Sequence, residues 1–419
     1  MLSRLYFKAG LAAIALLFCL PLMAFDELKL TSSSLVKTHT KEELKKKFKE
    51  NHVPSFIIKV KYTVDVYEIL YKTQLPDGTP VTASGLYFVP RGVKGKIPVV
   101  VYHHGTQVEK SRGAGVLHGE QAISTGYACS GYAVIMPDYI GLGKGEGLHI
   151  YQHYESEAQA SIDMIRAVRE LNKDINVSLR DELFITGYSQ GGHAAMSLHK
   201  FIEEKYPTEF KVKASSPMSG AYDMGGVQSE VMFKPYAYQG YLPYLLFSYN
   251  RVYKMYPDVN VIFKEPFDSL LMPLFDGSHG MGDANRIMPP IPKDVIKDSI
   301  VDLYKSNPDF PFRKYLSDNS VADWKPNAPV QMCYCEGDQQ VTYRNALVAE
   351  ANMKKLGAKN VHAFRVGKKQ GHVTCAMFAA IHTKMYFDSF LKGSKKGRKG
   401  PIIKRWLLNI AKKKVPSQD

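Results

Sequence analysis

The stretch Leu183-Phe184-Ile185-Thr186-Gly187-Tyr188-Ser189-Gln190-Gly191-Gly192 joins a short apolar run to a helix-like segment at 193–205. A G-x-S-x-G pattern between a strand and a helix is typical of a nucleophile elbow, a sharp turn that lifts the serine hydroxyl out of a sheet. Neighbouring backbone passes so close to such a turn that glycine is needed at positions 187 and 191. The stretch therefore predicts that Ser189 is a nucleophile at the carboxyl end of a buried strand.

Short apolar runs recur on both sides of this stretch, as buried parallel strands would. Helical segments separate the runs, and the clearest of these helices spans 157–171. The runs lie at 97–102, 132–136, 330–334 and 361–366. Strands that alternate with helices predict an α/β fold with a mostly parallel sheet flanked by helices.

Two further elements are predicted before the first of these runs. The residues from Thr40 to Glu43 form a capping-box pattern that predicts a short basic helix at 41–50. Segments 56–71 and 81–89 are joined by a turn at 76–79, which predicts an antiparallel hairpin at a sheet edge.

The catalytic partners of a serine on this kind of elbow are expected in the chain order serine, acid, histidine. Asp338 follows the run 330–334, and His372 follows the run 361–366. His372 would take the proton of Ser189, and Asp338 would orient the imidazole and stabilise its charged form. Glu336 is the alternative acid. The other histidines lie off the expected loops, among them His193, His362 and His382.

Two backbone N–H groups are expected to bind the oxyanion of the tetrahedral intermediate. One belongs to Gln190, directly after the nucleophile. The other is predicted at Thr106, in the His103-His104-Gly105-Thr106 loop that follows the run 97–102. Tyr188, His104 and Tyr139 lie on loops at the same edge of the sheet and are predicted to bind substrate.

Residues 225–324 break the alternation of strands and helices. Since a long segment without this rhythm is either functional or a lobe of its own, we predict a cap inserted after the sixth strand. The aromatic stretch from Phe233 to Tyr256 gives the hypothesis of a lid or an acyl pocket within that cap. The core then comprises 25–224 and 325–391, and a basic tail covers 392–419.

The N-terminus has the features of a secretory signal peptide at 1–24, namely a basic start, a short apolar run and Ala24 before polar sequence. An uncleaved anchor is the alternative. Cleavage would deliver an exported protein, either periplasmic or secreted. Four cysteines remain after this segment, and either free buried thiols or one disulfide fit them.

The formal net charge of +15 is concentrated in the tail, where 392–419 holds ten Lys or Arg and one acid. Since no nucleic-acid motif accompanies this charge, no nucleic-acid partner is predicted. One helical face of the tail is apolar and carries Ile402, Ile403, Trp406, Leu407 and Ile410. The charge comes from Lys404, Arg405 and Lys412 to Lys414. A basic amphipathic helix with tryptophan is typical of a membrane-surface element, and a helix docked on the domain is the alternative.

The chain resembles the secretory lipase group of α/β-hydrolases, to which yeast lipase A belongs. The matching pieces are GYSQGG at 187–192, PDYIGLG at 137–143, GDQQV at 337–341 and GH at 371–372. The resemblance spans roughly 55–390 and implies an α/β-hydrolase fold with a cap and an ester hydrolase whose triad is Ser189, Asp338 and His372. The His103–Thr106 loop departs from the yeast enzymes and looks like the loop of bacterial esterases.

These features predict a serine carboxylic-ester hydrolase, a lipase or esterase that acts on a small-molecule or lipid ester through an acyl-enzyme. No metal or organic cofactor is expected, because a triad and an oxyanion hole suffice for acyl transfer. The same triad also serves peptidases and acyltransferases, and the cap acids Glu265, Asp268 and Asp276 would suit a peptide amine. A binding protein without activity is a further alternative, which the complete set of Ser, Asp and His disfavours.

Overall fold

The computed structural model describes residues 28–50, 55, 58–110, 119–397 and 400–414. Within these residues nine strands form one sheet in the order β1-β2-β3-β5-β4-β6-β7-β8-β9. The strands are β1 (Leu30–His39), β2 (Val64–Gln74), β3 (Pro80–Pro90), β4 (Ile97–His103), β5 (Ala133–Pro137), β6 (Leu179–Tyr188), β7 (Lys211–Met218), β8 (Val330–Cys335) and β9 (Val361–Gly367). The first three strands pair antiparallel, and the strands from β4 to β9 run parallel. The predicted α/β-hydrolase fold with a mostly parallel sheet is confirmed.

Helices cover both faces of the sheet. They are α1 (Lys41–Glu50), α2 (Gly119–Cys129), α3 (Tyr154–Asp174), α4 (Gln190–Lys205), α5 (Tyr241–Tyr253), α6 (Phe267–Leu270), α7 (Met281–Ile287), α8 (Asp298–Ser306), α9 (Pro311–Asp318), α10 (Arg344–Lys355), α11 (His372–Leu391) and α12 (Ile402–Lys414). Helices α3, α4 and α10 contribute to one core layer, whereas α2, α11 and α12 contribute to the other. Among the described helices none is both long and apolar enough to cross a membrane.

The central strand β4 has apolar side chains on both faces, and helices on each side of the sheet bury them. All seven of its residues, IPVVVYH, are buried. Val99 and Val101 belong to the layer of α3, while Val100 and Tyr102 belong to the layer of α2, because successive side chains of a strand point to opposite faces. A run that is apolar on both faces therefore marks a strand covered on both sides.

Two strands were not predicted. Strand β7 carries Lys211, Lys213 and three polar or proline residues, Ser215, Ser216 and Pro217, so that it lacks a continuous apolar run. Strand β1 is largely exposed and contains three consecutive serines. Since β1 pairs with β2, the predicted hairpin of β2 and β3 is present but does not form the sheet edge.

The segment between β7 and β8 packs around an apolar cluster of its own. Helices α5 to α9 lie in it, together with four 3-10 turns, and their apolar side chains, such as Phe247, Phe263 and Leu271, bury one another. The segment follows β7, the seventh of the described strands.

The four cysteines among the described residues form one bridge and two free thiols. Cys335 and Cys375 form a disulfide, with sulfurs 2.06 Å apart, while Cys129 and Cys333 are free and buried. The predicted signal peptide at 1–24 lies outside the described residues.

Candidate active site

Ser189 occupies a strained turn between β6 and α4. Its backbone has φ 60° and ψ −120°, a conformation that side-chain-bearing residues rarely adopt. A Cβ atom at Gly187 would lie 2.2 Å from the carbonyl oxygen of Gly191, and one at Gly191 would lie 2.0 Å from that of His103. These contacts leave room only for glycine, as the sequence predicts for a nucleophile elbow.

Asp338 and His372 form a buried pair. Asp338 lies three residues after β8, and its Oδ1 accepts hydrogen bonds from the backbone N–H groups of Gln340 (3.0 Å) and Val341 (2.9 Å). Its Oδ2 lies 2.7 Å from Nδ1 of His372, the first residue of α11. The alternative acid, Glu336, instead pairs with Arg365 at 2.6 Å on the surface. The carboxylate available to His372 is therefore Asp338.

The elbow and this pair meet at the same edge of the sheet. The ring of Tyr188 lies 4.9 Å from the imidazole of His372, and its hydroxyl donates to the His372 carbonyl oxygen. Among the described residues Nε2 of His372 has no hydrogen-bond partner, so this nitrogen is available to receive a proton. Ser189, Asp338 and His372 are 8%, 9% and 5% exposed, and the three side chains are nearly shielded from water.

The predicted oxyanion donors lie beside Ser189. Gln190 is the first residue of α4, and the first N–H groups of a helix have no partner within it. The loop with Gly105 and Thr106 packs against the elbow, because a Cβ at Gly105 would meet the Ser189 Cβ at 3.5 Å. Glu120 accepts the N–H of Gly105 at 2.6 Å, which fixes the loop just before Thr106.

A buried polar network fixes the side-chain amide of Gln190. Its amide nitrogen lies 2.9 Å from Oε1 of Glu157 and 2.8 Å from Nε2 of His149. The other oxygen of Glu157 lies 2.7 Å from Nδ1 of His193, whose second ring nitrogen bonds the Asn319 carbonyl oxygen. Burial lowers the pKa of His149 to about 3, so its ring stays neutral at ordinary pH.

Sequence reasoning missed Glu157 and Glu120. Helix α3 carries Glu157 on its apolar face, one turn before Ser161 and two before Met164, all of them buried. Burying a carboxylate on a helix costs free energy unless the group is paired. An acid on the apolar face of α3 therefore indicates a buried polar partner. Nothing comparable marks Glu120 in the sequence, since it lies in the polar first turn of α2.

The three predicted substrate-binding residues require a correction. Tyr188, His104 and Tyr139 are 4%, 1% and 1% exposed, and they do not line the cavity at Ser189. The hydroxyl of Tyr139 donates to the His104 carbonyl oxygen at 2.8 Å, and the two rings pack at 4.6 Å. These side chains face inward because their loops are packed beneath the site, and they support it from the inside.

A cavity opens over Ser189 between the core and the cap segment. Its core side includes Tyr151, Gln152 and Ala221, and cap residues form most of the remaining wall. Those cap residues include Met232, Tyr236, Tyr241, Leu242 and Leu245. The aromatic stretch 233–256 thus contributes Tyr236 and Tyr241 to the cavity wall. It also contributes Tyr244, Phe247 and Tyr249 to the cap's own core.

A second, almost wholly apolar cavity lies next to the first inside the cap. Met232 and Leu242 line both cavities, and the second adds Leu246, Ile262 and Ile300 among others. The cap acids Glu265, Asp268 and Asp276 line neither cavity. Within the part of the chain that the structure covers, no group of three or more His, Cys, Asp or Glu could hold a metal ion.

Comparisons with known proteins agree with this geometry. A family model described as secretory lipase matches residues 119–397. A Legionella pneumophila protein of known structure is 28% identical, with a TM-score of 0.79 over 87% of this chain and 99% of that chain. A ligand-bound rice cell wall degrading esterase, LipA from Xanthomonas oryzae, is 28% identical, with a TM-score of 0.75 over 87% and 96% of the two chains.

A third structure extends the similarity in fold alone. Candida antarctica lipase A in its closed state is 15% identical, with a TM-score of 0.66 over 89% of this chain and 83% of that one. A comparison with curated protein sequences gives no match.

Proposed function

The chain belongs to the secretory lipase family, and from this premise we propose that it hydrolyses carboxylic esters through a covalent acyl-enzyme on Ser189. The family and the related structures support a hydrolase of the lipase and esterase type. The observation that carries the finer proposal is the strained Ser189 elbow at the floor of a cavity, beside the hydrogen-bonded pair of Asp338 and His372.

The first half of the reaction forms the acyl-enzyme. Oγ of Ser189 attacks the ester carbonyl carbon while Nε2 of His372 takes the hydroxyl proton. The carbonyl oxygen gains negative charge, and the N–H groups of Gln190 and Thr106 donate to it. The intermediate collapses, His372 passes its proton to the departing alkoxide, and the alcohol leaves.

The second half repeats the steps with water. His372 takes a proton from the water as it attacks the acyl carbon, and it then returns this proton to Oγ of Ser189 when the carboxylic acid leaves. Asp338 stabilises the imidazolium in both halves. The two backbone N–H groups that donate to its Oδ1 hold the carboxylate in place for this role.

The cavity supports an apolar acyl group as the part of the ester that binds inside the protein. Aliphatic and aromatic side chains of the cap form most of its wall, and the second apolar cavity extends the same path. Burial of such a group contributes about 0.8 kcal/mol for each methylene removed from water. Among the described residues that line the cavity none carries a carboxylate that could bind a peptide amine, which favours esters over the peptidase alternative.

Membership of a secretory family suggests export. We therefore propose an exported hydrolase whose leader is the segment 1–24, with a small-molecule or lipid ester as substrate. Sequencing the N-terminus of the protein recovered outside the cytoplasm tests the cleavage site, and a start at Met1 would contradict it.

The function is tested with p-nitrophenyl esters of rising acyl length, alongside aminoacyl p-nitroanilides and an added alcohol acceptor. We expect ester hydrolysis that Ser189→Ala reduces by several orders of magnitude. Ser278→Ala is the control, because Ser278 is exposed in the cap and lines neither cavity. No ester hydrolysis by the parent protein, or full activity in Ser189→Ala, overturns the proposal. Preferential cleavage of anilides, or acyl transfer to the alcohol in place of hydrolysis, favours the alternatives.

A further inference from the structure

The C-terminal helix α12 is anchored to the core by one of its faces. Leu408 is 1% exposed and belongs to the apolar layer that α11 shares with the sheet. The ammonium group of Lys412, one turn later, donates to the Val366 carbonyl oxygen and lies 5.6 Å from the ring centre of Phe378. Positions 408 and 412 lie on the same side of a helix, so this side is the inner face.

The opposite face of α12 is apolar and open. Ile403 is 73% exposed, Trp406 is 60% exposed and Ile410 is 37% exposed. Their spacing of three and four residues places them on one side of the helix, turned away from Leu408. The helix is therefore docked on the domain by one face, as the alternative prediction has it. Its other face presents the apolar side chains on which the membrane-surface prediction rests, and that prediction stays open.

The tail that carries this face is strongly basic in sequence. The tail 392–419 contains ten Lys or Arg and one acid, Asp419. Lys395 and Lys396, in the turn before α12, are exposed. A face of tryptophan and isoleucine bordered by cations complements the surface of an anionic bilayer, where the rings enter the headgroup region and the cations attract phosphate.

The end of α12 lies on the catalytic side of the molecule. Lys412 contacts Val366 near the carboxyl end of β9, and His372 begins α11 five residues after that strand. Val373 and Met377, in the first turns of α11, are 69% and 47% exposed. A lipid surface held by α12 would thus lie near the edge of the sheet at which Ser189 and His372 meet.

We propose that the exposed face of α12, formed by Ile403, Trp406 and Ile410, docks on anionic lipid bilayers. The proposal does not depend on catalysis, because the binding face is separate from the site at Ser189. Its test therefore uses the full chain with Ser189→Ala, so that turnover cannot change the vesicles.

The experiment measures co-sedimentation with vesicles of phosphatidylcholine alone and with vesicles containing phosphatidylglycerol. We expect at least tenfold tighter partition to the anionic vesicles, and most of this difference should disappear in 0.5 M salt. Ile403→Ser with Trp406→Ser should weaken partition by roughly tenfold or more. Lys395→Gln with Lys396→Gln should weaken it by a similar factor, since cations close to an anionic bilayer are attracted to its headgroups.

Trp406 also serves as an internal reporter. The chain has two tryptophans, and the other, Trp324, is 6% exposed. Docking should shift the emission of Trp406 to shorter wavelength upon addition of anionic vesicles. Val261→Ser is the matched control for the loss of an exposed apolar side chain, because Val261 is 53% exposed in the cap.

Three outcomes overturn the proposal. The first is equal partition to the two vesicle types, and the second is unchanged partition in the Ile403 and Trp406 variant. The third is a dimer that this variant makes monomeric while vesicle binding is unaffected, since the face would then belong to a second copy of the chain. Thermal unfolding of each variant checks that Leu408 still anchors the helix.

Discussion

Glu157 shows how far the catalytic demands on this chain extend beyond the three reacting side chains. It is 1% exposed, and each of its carboxylate oxygens accepts a different buried donor, the Gln190 amide and the His193 ring. Because Gln190 also supplies a proposed oxyanion donor, the position of its backbone N–H depends on a residue 33 positions away in sequence.

Glu157→Gln should therefore lower kcat by roughly tenfold with little change in KM. An amide oxygen accepts from only one of the two donors well, and the displaced Gln190 would then donate less well to the oxyanion. The free energy of unfolding should fall by about 1–3 kcal/mol, because a buried polar group is left unpaired. Kinetics with a p-nitrophenyl ester and urea unfolding measure the two effects.

The control for this variant is Glu155→Gln, an exposed residue of the same helix. It should leave kcat and stability unchanged. A Glu157→Gln protein with reduced stability but the kcat of the parent would show that Glu157 serves folding alone.

Single residues could be predicted wherever a local pattern marks them. Ser189, Asp338 and His372 each follow a strand within a short motif, so their roles were proposed from the sequence. The pairing of Glu157 with Gln190 could not be, because a helix and an elbow that are distant in sequence create it. The inward rotation of Tyr188 and Tyr139 was missed for a similar reason, since loop packing decides where a ring on a loop points.

At the scale of elements, one disulfide joins the two segments that carry Asp338 and His372. The Cys335–Cys375 disulfide connects the last residue of β8 with the first turn of α11. Asp338 comes three residues after the first cysteine, and His372 comes three residues before the second. The bridge thus holds together the two segments whose separation sets the Asp338–His372 hydrogen bond.

Replacing both cysteines by alanine should lower the free energy of unfolding by about 2–4 kcal/mol, as expected for a bridge that closes a loop of about forty residues. It should also reduce kcat, since Asp338 would orient His372 less firmly. Urea unfolding and ester kinetics with and without dithiothreitol measure this. The reductant should affect the parent and leave the double variant unchanged; an equal response in both proteins would exclude the bridge as the cause.

The two cap cavities predict a dependence on acyl length. Ile300 in α8 lines only the inner cavity, beyond Met232 and Leu242. Ile300→Phe should lower kcat/KM for long acyl chains by roughly tenfold, the equivalent of about two methylenes excluded, and leave acetate and butyrate esters unaffected. A proportional loss for every chain length would contradict a continuous acyl path.

Leu303→Phe is the matched control, because Leu303 lies on the same helix and is 45% exposed. It adds the same ring on the solvent side of α8. Its acyl-length profile should follow that of the parent protein.

Strands could be predicted from the sequence where the sheet is covered by helices on both faces. The runs of β4, β5, β6 and β8 stand out in the sequence because they are buried on both faces. Strand β1 is solvent-exposed and rich in serine, and backbone pairing with β2 makes it a strand despite its composition. The cap could be recognised only as a segment in which strands and helices stop alternating. Its short helices are stabilised by contacts with one another, and local sequence patterns do not mark them.

At the scale of the whole molecule, buried histidines link stability to pH. Burial is the main cause that lowers the pKa of His103, His149 and His382 to about 3 and that of His153 to about 4. In the unfolded chain a histidine titrates near 6.5, so the unfolded state binds more protons than the native state between these values. Stability should therefore be retained above pH 6.5 and fall as the pH drops toward 4.

Each such histidine can add up to about 1.4 kcal/mol of lost stability per pH unit. Urea unfolding between pH 7 and 4.5 should show this slope, and His382→Gln should reduce it by roughly one proton. His382 lies beside Lys412 and Arg405, whose charges lower its pKa further. His362→Gln, at an exposed position of β9, is the control, and the same slope in His382→Gln and the parent protein would contradict the prediction.

The contact between Lys412 and Val366 has one more consequence, which concerns self-association. Strand β9 is the last strand of the sheet, and an open edge strand offers its backbone to any other extended chain. Lys412 of the tail donates a hydrogen bond to a β9 carbonyl oxygen. Part of the edge is therefore covered by a bulky, positively charged helix. The tail would then act as a guard against strand addition, and losing it during proteolysis would make the protein prone to fibrillar aggregation before it becomes inactive.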